Sequence, residues 1–390
     1  MAEAWILSAV RTAVGTAHKG TLRDTSALEL ARVAVDAART RSGLEPERFD
    51  DVVFAESYYG GGDIARHAAI EAGLVNVGGQ AVNRHCAGSL TSVANAAGSI
   101  IAGMDDVVIA GGVQSSSTAP VQRWRVPGTE EYLEPWWSPT HPDSPTAPNW
   151  DMTITVGWNT AQAIGISREE MDRWAYRSHR RAVAAIDDGT FAEEIVPVKA
   201  ILPDGSITEF AVDEHPRRDS TLEKLASLKP LHPEIEGFSI TAGNSSGVND
   251  AAAALVLGNA DTARSYGGTP FGRVRGWAWT AVPPERTGSA VLDVIPKVLR
   301  RTGLTTKDIA LWEINEAFAS VPVAACRELA LDEEKVNIHG SGCSIGHPTA
   351  ASGARMLTTL VHDLRRRGGG LGVAAMCAGG GQAGAVLVEC

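Results

Sequence analysis

Two cysteines stand where an apolar run meets small residues, a position at which strands often present reactive side chains. Cys86 precedes Ala-Gly-Ser and a predicted helix, and Cys377 precedes Ala-Gly-Gly-Gly. A thiol at a helix N-terminus lies near unpaired N–H groups, so we expect a lowered pKa for Cys86 and an oxyanion contact from its own N–H. Taken alone, Cys86 is equally well explained as a structural cysteine, and Cys377 is better explained as an incidental residue of a strand-end turn.

An imidazole and an amide lie between the two thiols in the sequence. His347 sits in Gly-His-Pro, a rigid turn that suits a base for a nearby thiol, although a lone histidine is more often structural. Asn315 follows a predicted strand in Asn-Glu-Ala-Phe, where its amide would bind an oxyanion or a water, or else cap a turn. Together, these groups describe a thiolate that attacks an acyl carbon while a second thiol moves a proton on carbon. That chemistry makes or breaks a 3-ketoacyl thioester.

Strands that alternate with helices must position these groups, which predicts an α/β fold. The predicted strands are 4–10, 51–55, 80–83, 106–112, 273–277, 310–313 and 371–375. The predicted helices are 26–41, 91–102, 291–301 and 350–366.

The pattern of the first third returns in the last third. A Gly-Leu pair begins 13 residues before a glutamate twice, at Gly43 and Glu56 and at Gly303 and Glu316. Apolar runs that lead into glycines also recur, at 107–112 and 374–380. The repeated order favours an internal duplication of two packed α/β halves.

The middle of the chain differs in composition and periodicity from both ends. Residues 119–150 are rich in Pro and Trp without a clear period, and long loops of this kind are usually functional. A helix is predicted over residues 167–185, where a capping-box pattern begins at Ser167. We expect residues 1–115 with about 246–270 to form the first half, 116–245 to be an inserted loop domain facing the substrate, and 271–390 to form the second half.

Composition disfavours several classes of protein. The 390 residues include 35 Lys and Arg against 46 Asp and Glu, a net charge of −11, so we expect neither nucleic acid nor a membrane as partner. No apolar stretch is long enough to span a bilayer, and the amino end lacks signal-peptide features. The five cysteines are widely spaced without a Cys-x-x-Cys pair, which argues against a zinc site or disulfide framework and for a reducing cytoplasm.

The combined motifs resemble the thiolase family over nearly the whole chain. Besides the segments around the two cysteines, Asn315 and His347, the resemblance rests on residues 10–15, 165–169, 194–198, 221–230 and 241–250. It implies a thiolase-like fold, in which two duplicated α/β halves form a layered αβαβα core with an inserted loop domain. It also implies thiolytic cleavage of 3-ketoacyl-CoA to acetyl-CoA and a shortened acyl-CoA, or the reverse condensation.

The resemblance assigns a role to each reactive residue. Cys86 resembles the nucleophile that becomes acylated in ping-pong chemistry, and His347 resembles its base. Cys377 resembles the acid/base at the α-carbon. His347 with a water held by Asn315 would form one oxyanion hole, and the N–H groups of Cys86 and Gly379 would form the other.

The same resemblance places coenzyme A, as substrate and product, against the inserted domain. Arg217 and Ser246 match positions that contact the nucleotide or pantetheine, and Lys224 could reach a phosphate. No tightly bound cofactor and no metal are expected, and a homodimer or homotetramer is implied.

Some features leave alternatives open. Cys343 stands at a normally apolar place, where we favour packing over a third reactive thiol. The Trp-rich segment leaves the acyl group undefined, since its aromatic residues suit either a bulky substrate or a subunit interface. A condensing enzyme of the same fold that works only in synthesis and a non-catalytic acyl-CoA or lipid carrier are the other readings. The presence of all four reactive residues favours a thiolase over both.

Overall fold

The computed structural model describes residues 2–59 and 62–390, in which strands and helices alternate. The strands are β1 (Ala4–Thr12), β2 (Gly15–Thr16), β3 (Asp51–Ala55), β4 (Gln80–Val82), β5 (Val107–Ser115), β6 (Trp124–Arg125), β7 (Tyr132–Leu133), β8 (Ile195–Val196), β9 (Val198–Ile201), β10 (Ile207–Phe210), β11 (Asn249–Gly258), β12 (Gly272–Ala281), β13 (Leu311–Ile314), β14 (Leu371–Ala378) and β15 (Gln382–Glu389). The helices are α1 (Ala27–Ser42), α2 (Ile64–Glu71), α3 (Gly88–Ala102), α4 (Asn159–Ile164), α5 (Arg168–Asp187), α6 (Leu222–Ala226), α7 (Ala260–Ser265), α8 (Val291–Thr302), α9 (Ser320–Leu329) and α10 (Ser352–Arg366).

The main sheet has a two-fold repeat of strand order. Its strands run β13-β14-β15-β12-β1-β11-β5-β3-β4, with β2 and β8 attached beside this path. Reading outward from the centre, β12, β15, β14 and β13 repeat the order of β1, β11, β5 and β3. The predicted duplication is therefore confirmed, and the antiparallel pairing of β1 with β12 joins the halves into one hydrogen-bonded sheet.

Three apolar clusters separate the layers. One cluster lies under α1 and α2 and includes Leu30 and Val52, and a second lies under α8 and α9 and includes Val294. The third joins α3 and α10 to strands of both halves, for example through Leu90 and Leu357. The central helices α3 and α10 form the middle layer. On either side of them lies a part of the sheet and then an outer helical layer, which gives the expected αβαβα arrangement.

The two central helices approach each other unusually closely. A Cβ at Gly353 would lie only 2.6 Å from the backbone nitrogen of Leu90. The N–H of Ala354 donates to Ser89 Oγ at 2.9 Å, which links the first turns of α10 and α3. The small residues after His347 therefore let the beginnings of both helices meet.

Several elements differ from the sequence-based prediction. The strands β11 and β15 and the helices α2 and α9 were not predicted. The β11 strand contains four consecutive alanines, which have low β propensity, and it forms because it is paired on both sides by β1 and β5. The apolar runs 107–112 and 374–380, which the sequence analysis matched, are not equivalent in the structure. Gly111 and Gly112 lie inside β5, whereas Gly379 and Gly380 follow β14.

The segment between β7 and β11 is attached to β1 by a buried ion cluster. Its strand β8 pairs with β1, and Arg11 on β1 donates to Glu194 at 2.6 Å and to both carboxylate oxygens of Asp213 at 2.8 and 2.9 Å. These two carboxylates raise the pKa of the Arg11 guanidinium. The capping box of α5 forms as predicted, with Ser167 and Glu170 bonding to each other's backbone N–H.

Across residues 2–59 and 62–390, no helix is both long enough and apolar enough to cross a membrane.

Candidate active site

A cavity of about 1130 Å³ opens where the two halves meet the inserted segment. Four of the five residues predicted to be catalytic line it: Cys86, His347, Cys377 and Gly379. Both halves therefore contribute to one site, although Cys86 and Cys377 are 291 residues apart in the sequence.

Cys86 is presented by a short strained turn before α3. It occupies a 3-10 turn, His85–Ala87, and His85 has a φ of 46°, which lies in the left-handed region. Such a conformation costs a β-carbon-bearing residue of order 1–3 kcal/mol. The N–H of His85 donates to Asn83 Oδ1 at 2.8 Å, which stabilises the turn. The sequence analysis did not identify this strained residue next to the nucleophile.

The expected lowering of the Cys86 pKa is wrong for this structure. Burial raises the pKa of the Cys86 thiol to about 11, while hydrogen bonds from the N–H groups of Cys86 and Gly379 oppose the rise. Desolvation of the thiolate by the surrounding protein outweighs the favourable N–H groups at the helix end. The same two N–H groups nevertheless face the sulfur, as expected for a hole that stabilises negative charge beside it.

Cys377 lies at the end of β14, and its side chain is almost completely buried. Its pKa is raised by burial and by the nearby Cys86 thiol, so the two sulfur atoms are close enough to influence each other. The turn after β14 is anchored by the N–H of Gly381, which donates to Thr287 Oγ1 at 3.0 Å. A rigid turn therefore holds Cys377 and Gly379 against the same cavity.

His347 is fixed through both its backbone and its ring. Its N–H donates to Asn249 Oδ1 at 2.9 Å, and Gly346 must adopt a φ of 114° where a Cβ would overlap Asn249. Its Nδ1 lies 2.6 Å from Ser352 Oγ. Burial and the charge of Arg355 lower the pKa of His347 to about 3, so the ring is neutral at physiological pH. The roles of Asn249 and Ser352 were missed by the sequence analysis.

Asn315 lies beside His347 but does not line the cavity. Its Nδ2 is 3.3 Å from Nδ1 and 3.4 Å from Nε2 of His347. Because the two distances are nearly equal, the amide N–H groups do not point along the lone pair of either ring nitrogen. Its Oδ1 is buried and has no hydrogen-bond partner among the described residues. A buried acceptor of this kind is suited to a small hydrogen-bond donor such as water.

The residue after Asn315 anchors this part of the site. Glu316 Oε1 accepts hydrogen bonds from Trp174 Nε1 at 2.9 Å and from Asn337 Nδ2 at 2.8 Å. Its Oε2 accepts from Ser178 Oγ at 2.6 Å and from the N–H of Cys343 at 3.1 Å. The Glu316 side chain is buried, so these four donors compensate for the cost of its desolvation.

The third candidate thiol, Cys343, belongs to this anchor. It is 1% exposed, and its sulfur lies within sulfur hydrogen-bonding distance of the carbonyl oxygens of Asn244 and Glu316, at 3.8 and 3.6 Å. Burial raises its pKa well above the usual range. Because Cys343 does not line the cavity, the structure favours the packing interpretation.

The three residues predicted to contact coenzyme A separate into two groups. Arg217 and Ser246 line the cavity, whereas Lys224 does not and instead donates to the backbone and carboxylate oxygens of Asp219. Lys19 also lines the cavity and was missed by the sequence analysis. Within the described chain, neither Lys19 nor Arg217 is part of an ion pair. Both are exposed.

Across the described residues, no three His, Cys, Asp or Glu side chains gather in a way that could hold a metal ion.

Comparison with known proteins extends over the full chain. The family profile "Thiolase, N-terminal domain" matches residues 4–261, and "Thiolase, C-terminal domain" matches residues 268–390. The chain is 38% identical to the acetyl-CoA acetyltransferase of Escherichia coli (strain K12), covering 98% of each sequence. It is 36% identical to the 3-ketoacyl-CoA thiolase of Bacillus subtilis (strain 168), covering 100% of each. The crystal structure of the Bacillus anthracis acetyl-CoA acetyltransferase superimposes with a TM-score of 0.90 at 34% identity, covering 100% of this chain and 99% of that one.

Proposed function

The chain belongs to the thiolase family, and on that premise we propose that it transfers acyl groups by a ping-pong reaction through an acyl-Cys86 intermediate. Thiolase activity itself, and hence acyltransferase activity, follows from the full-length relatives and the two family matches. These findings do not favour the synthesis-only condensing enzyme or the non-catalytic carrier. The observation that carries the proposed mechanism is that Cys86, His347, Cys377 and Gly379 line a single cavity.

In the first half-reaction, the Cys86 sulfur attacks the C3 keto carbon of a 3-ketoacyl-CoA. His347 accepts the thiol proton, and Nε2 is the nitrogen left for this task because Nδ1 faces Ser352. A raised pKa for the thiol and a lowered pKa for the imidazole disfavour a preformed ion pair. The proton therefore moves as the C–S bond forms.

The C2–C3 bond then breaks, which leaves the electron pair on C2 of the departing acetyl-CoA. The Cys377 thiol supplies the proton to this carbon and becomes a thiolate. The negative charge on the C3 oxygen is stabilised by the N–H groups of Cys86 and Gly379, which face the sulfur. The charge on the acetyl-CoA thioester oxygen is assigned to His347 and a water bound by Asn315. Each such donor is worth roughly 3–4 kcal/mol in comparable acyl-transfer sites.

In the second half-reaction, a fresh coenzyme A gives its thiol proton to the Cys377 thiolate and attacks the acyl carbon on Cys86. The Cys86–acyl bond breaks, and the protonated His347 returns its proton to the Cys86 sulfur. The sum is one 3-ketoacyl-CoA and one coenzyme A converted into acetyl-CoA and a shortened acyl-CoA. The condensation uses the same steps in reverse order.

The cavity mouth supplies the charge that coenzyme A requires. Lys19 and Arg217 are exposed cations without an ion-pair partner in the described chain, and Ser246 lies on the cavity wall. We assign the phosphates of coenzyme A to the two cations and its pantetheine arm to the wall at Ser246. Lys224 is a weaker candidate because Asp219 already pairs with it.

We also propose a domain organisation, a compartment and an assembly state for the protein. Residues 116–245 form the loop domain that faces coenzyme A, between a first half of 1–115 with about 246–270 and a second half of 271–390. The protein works in the cytoplasm as a homodimer or homotetramer in fatty acid or lipid metabolism. The five free cysteines, three of which are buried thiols (Cys326, Cys343 and Cys377), support a reducing compartment.

The test is the intact mass of the protein after brief exposure to acetyl-CoA or to a medium-chain 3-ketoacyl-CoA. We expect one acyl group bound through a thioester, removed by free coenzyme A and absent from Cys86→Ser. Cys326→Ser is the matched control, because Cys326 is buried in α9 and does not line the cavity. An adduct that persists in Cys86→Ser, or coenzyme A binding without any adduct, would overturn the proposed mechanism.

A further inference from the structure

A line of polar side chains runs along one face of the buried helix α10. Apart from its last turn the helix is fully buried, and Ser352, Arg355 and Thr359 follow one another at spacings that place them on one face. Ser352 Oγ lies 2.6 Å from His347 Nδ1, and Thr359 Oγ1 donates to Glu194 Oε1 at 2.9 Å. A buried cation, Arg355, therefore lies one helical turn from the residue that contacts the ring of His347.

The guanidinium group of Arg355 has few partners for a buried charge. The side chain is 1% exposed. Its Nη1 donates to Glu313 Oε2 at 3.3 Å and its Nη2 to Ser341 Oγ at 2.9 Å, while its Nε is buried without a partner among the described residues. A strong charge-assisted hydrogen bond is shorter, at about 2.7–2.9 Å. One carboxyl group at the longer distance therefore compensates the charge of Arg355 incompletely.

The other buried arginine of this region, Arg11, is much better compensated. It donates to two carboxylates, Glu194 at 2.6 Å and Asp213 at 2.8 and 2.9 Å. Burial disfavours both cations, but the two carboxylates outweigh it and raise the pKa of Arg11, whereas burial lowers the pKa of Arg355. Burial also raises the pKa of Glu313 to about 8, so this partner mostly carries a proton at neutral pH. An incompletely compensated buried charge destabilises a fold, which indicates a role other than stability.

The carboxyl partner of Arg355 lies on the strand that leads to Asn315. Glu313 belongs to β13, and the N–H of Asn315 continues the pairing of that strand by donating to a carbonyl of β14 at 3.0 Å. Side chains two residues apart along a strand project to the same side, so Glu313 and Asn315 share one side of β13. The Asn315 amide lies 3.3 and 3.4 Å from the ring nitrogens of His347. Arg355 is therefore connected to His347 by two routes, through Ser352 on α10 and through this side of β13.

The charge of Arg355 also acts on the imidazole. Burial and this charge together lower the pKa of His347 to about 3. Burial raises the pKa values of Cys86 and Cys377, which line the same cavity, so both thiols stay protonated near neutral pH. The side chains that contact His347 from the packed elements do not ionise in this range: Ser352 from α10, Asn315 from the end of β13 and Asn249 from β11.

The proposed reaction creates a negative charge beside His347 and Asn315. When the C2–C3 bond breaks, the electron pair on C2 is shared with the thioester oxygen of the departing acetyl-CoA, which we assign to His347 and a water bound by Asn315. A fixed cation nearby lowers the energy of this enolate more than that of the uncharged substrate, and the low dielectric of the interior strengthens the effect. The same cation disfavours a positive charge on His347. The imidazole therefore stays neutral until Cys86 transfers its proton, and it returns that proton readily.

We propose that Arg355 is a positioning residue whose buried positive charge stabilises the oxyanion held by His347 and Asn315 and keeps the imidazole available as a base. This inference rests on the proposed function, because it concerns the same oxyanion and the same base. Arg355 does not line the cavity, so it acts through His347 and Asn315 and does not touch the substrate. Glu313 and Ser341 hold the guanidinium group in place without cancelling its charge.

The experiment separates the charge of Arg355 from its packing. Arg355→Lys keeps a positive charge but loses the planar fork, whereas Arg355→Met keeps an unbranched side chain without the charge. Arg39→Met is the matched control, since Arg39 on the outer helix α1 also has one carboxylate partner, Asp36 at 2.9 Å, and a buried Nε without a partner in the described chain. The measurements are kcat and KM for thiolysis of acetoacetyl-CoA from about pH 5 to about pH 8, and the midpoint of urea unfolding.

The charge of Arg355 should affect kcat and its pH dependence. At neutral pH, Arg355→Met should lower kcat by about 10- to 100-fold, with KM changed by less than about threefold. On the acidic side, kcat of this variant should begin to fall at a higher pH than in the unsubstituted protein, because the imidazole is easier to protonate without the neighbouring cation. Arg355→Lys should stay within about threefold in kcat and keep the original acidic limb. Arg39→Met should match the unsubstituted protein in both respects.

A double substitution separates catalysis from stability. Replacing both members of a buried ion pair by apolar side chains is often neutral for stability, so Arg355→Met/Glu313→Leu should unfold at nearly the same urea concentration as the unsubstituted protein. It still lacks the positive charge, so its kcat and its acidic limb should match those of Arg355→Met. Recovery of kcat together with stability would show that Arg355 matters only for packing, and would overturn the inference.

The remaining outcomes distinguish this inference from the proposed function. No thiolysis of acetoacetyl-CoA by the unsubstituted protein would overturn the proposed function itself. Thiolysis that is equally fast in Arg355→Met and Arg39→Met, or an acidic limb that does not move in Arg355→Met, would leave the thiolase mechanism intact and overturn the role of Arg355. If neither Met variant folds, Arg355→Lys decides, because a folded Lys variant with kcat lowered by more than about 100-fold contradicts a role of the charge.

Discussion

The two duplicated halves bring corresponding strand ends to the active site, but the side chains at these ends have different hydrogen-bond partners. At the end of β3, Glu56 has one described hydrogen-bond donor and borders an open side pocket. At the end of β13, Glu316 accepts four hydrogen bonds and fixes the segment that carries Asn315. Both carboxylates lie 13 residues after the glycine of a Gly-Leu pair, at Gly43 and Gly303.

The two central helices, α3 and α10, differ in the same way. In the first half, α3 begins behind Cys86, and in the second half α10 begins behind His347. The second half also provides Cys377 and Gly379 after β14. One copy therefore presents the nucleophile, and the other holds the groups proposed to move protons in a rigid hydrogen-bonded frame.

The largest expected effect separates these two tasks. Cys377→Ala removes the proposed proton donor at carbon, so thiolysis should fall by about 10³-fold, within the usual range for a lost general acid or base. Acylation of Cys86 by acetyl-CoA needs no proton on carbon, and the leaving coenzyme A thiolate can take its proton from water when Cys377 is absent. The acyl adduct should therefore still form in this variant, more slowly, when measured by intact mass. Cys86→Ala should lose both activities. Loss of acylation in Cys377→Ala would contradict the division between the halves.

The second prediction concerns the pH dependence of Cys86. Because burial raises its pKa to about 11, the thiolate fraction should increase about tenfold per pH unit throughout the neutral range. His347 has a lowered pKa of about 3 and stays neutral there, so it adds no inflection. The measurement is the rate of Cys86 alkylation by iodoacetamide from about pH 6 to about pH 9, quantified by peptide mass spectrometry.

A plateau of that rate above neutral pH would contradict the raised pKa. It would instead favour the lowered pKa that the position of Cys86 before a helix suggests. His347→Ala serves as the control for a contribution of the imidazole to the profile.

A third, smaller effect compares the two carboxylates directly. Glu316→Gln places an amide donor among four existing donors, so at least one buried group loses its partner and the free energy of unfolding should fall by about 3 kcal/mol. Glu56→Gln changes a carboxyl with one described donor, and its cost should stay below about 1 kcal/mol. Urea unfolding followed by circular dichroism measures both. Equal losses would refute the proposed difference in rigidity.

The smallest predicted effect tests how the ring of His347 is positioned. Ser352→Ala removes the hydroxyl 2.6 Å from Nδ1, which should lower kcat for thiolysis about three- to tenfold with little change in KM. Ser352→Thr keeps a hydroxyl and should restore most of the rate. If Thr fails to rescue activity while the unfolding midpoint is unchanged, Ser352 does not act through its hydrogen bond to His347.

The sequence alone determined the α/β class, the duplication and four of the five candidate catalytic residues that line the cavity. Periodicity and spacing are local properties, so apolar runs such as 4–10 and the capping signal at Ser167 predicted elements that the structure confirms. The alanine-rich β11 was missed because its strand pairing, rather than its own propensity, makes it a strand. The repeat placed Glu56 and Glu316 at corresponding positions, but their different partners are not visible in the sequence.

Tertiary structure decided the environment of each reactive group. The position of Cys86 before α3 predicted a lowered pKa, yet desolvation by the surrounding residues raises it. Asn249, which fixes the backbone of His347, lies 98 residues away in the sequence and is brought there only by chain packing, whereas Ser352, which contacts the ring, lies five residues after His347 at the beginning of α10. Desolvation, hydrogen bonding and cavity shape depend on all neighbours in space, including those that are distant in the sequence. Motifs can therefore name the reactive residues, but the packed halves set their pKa values and the room left for an acyl group.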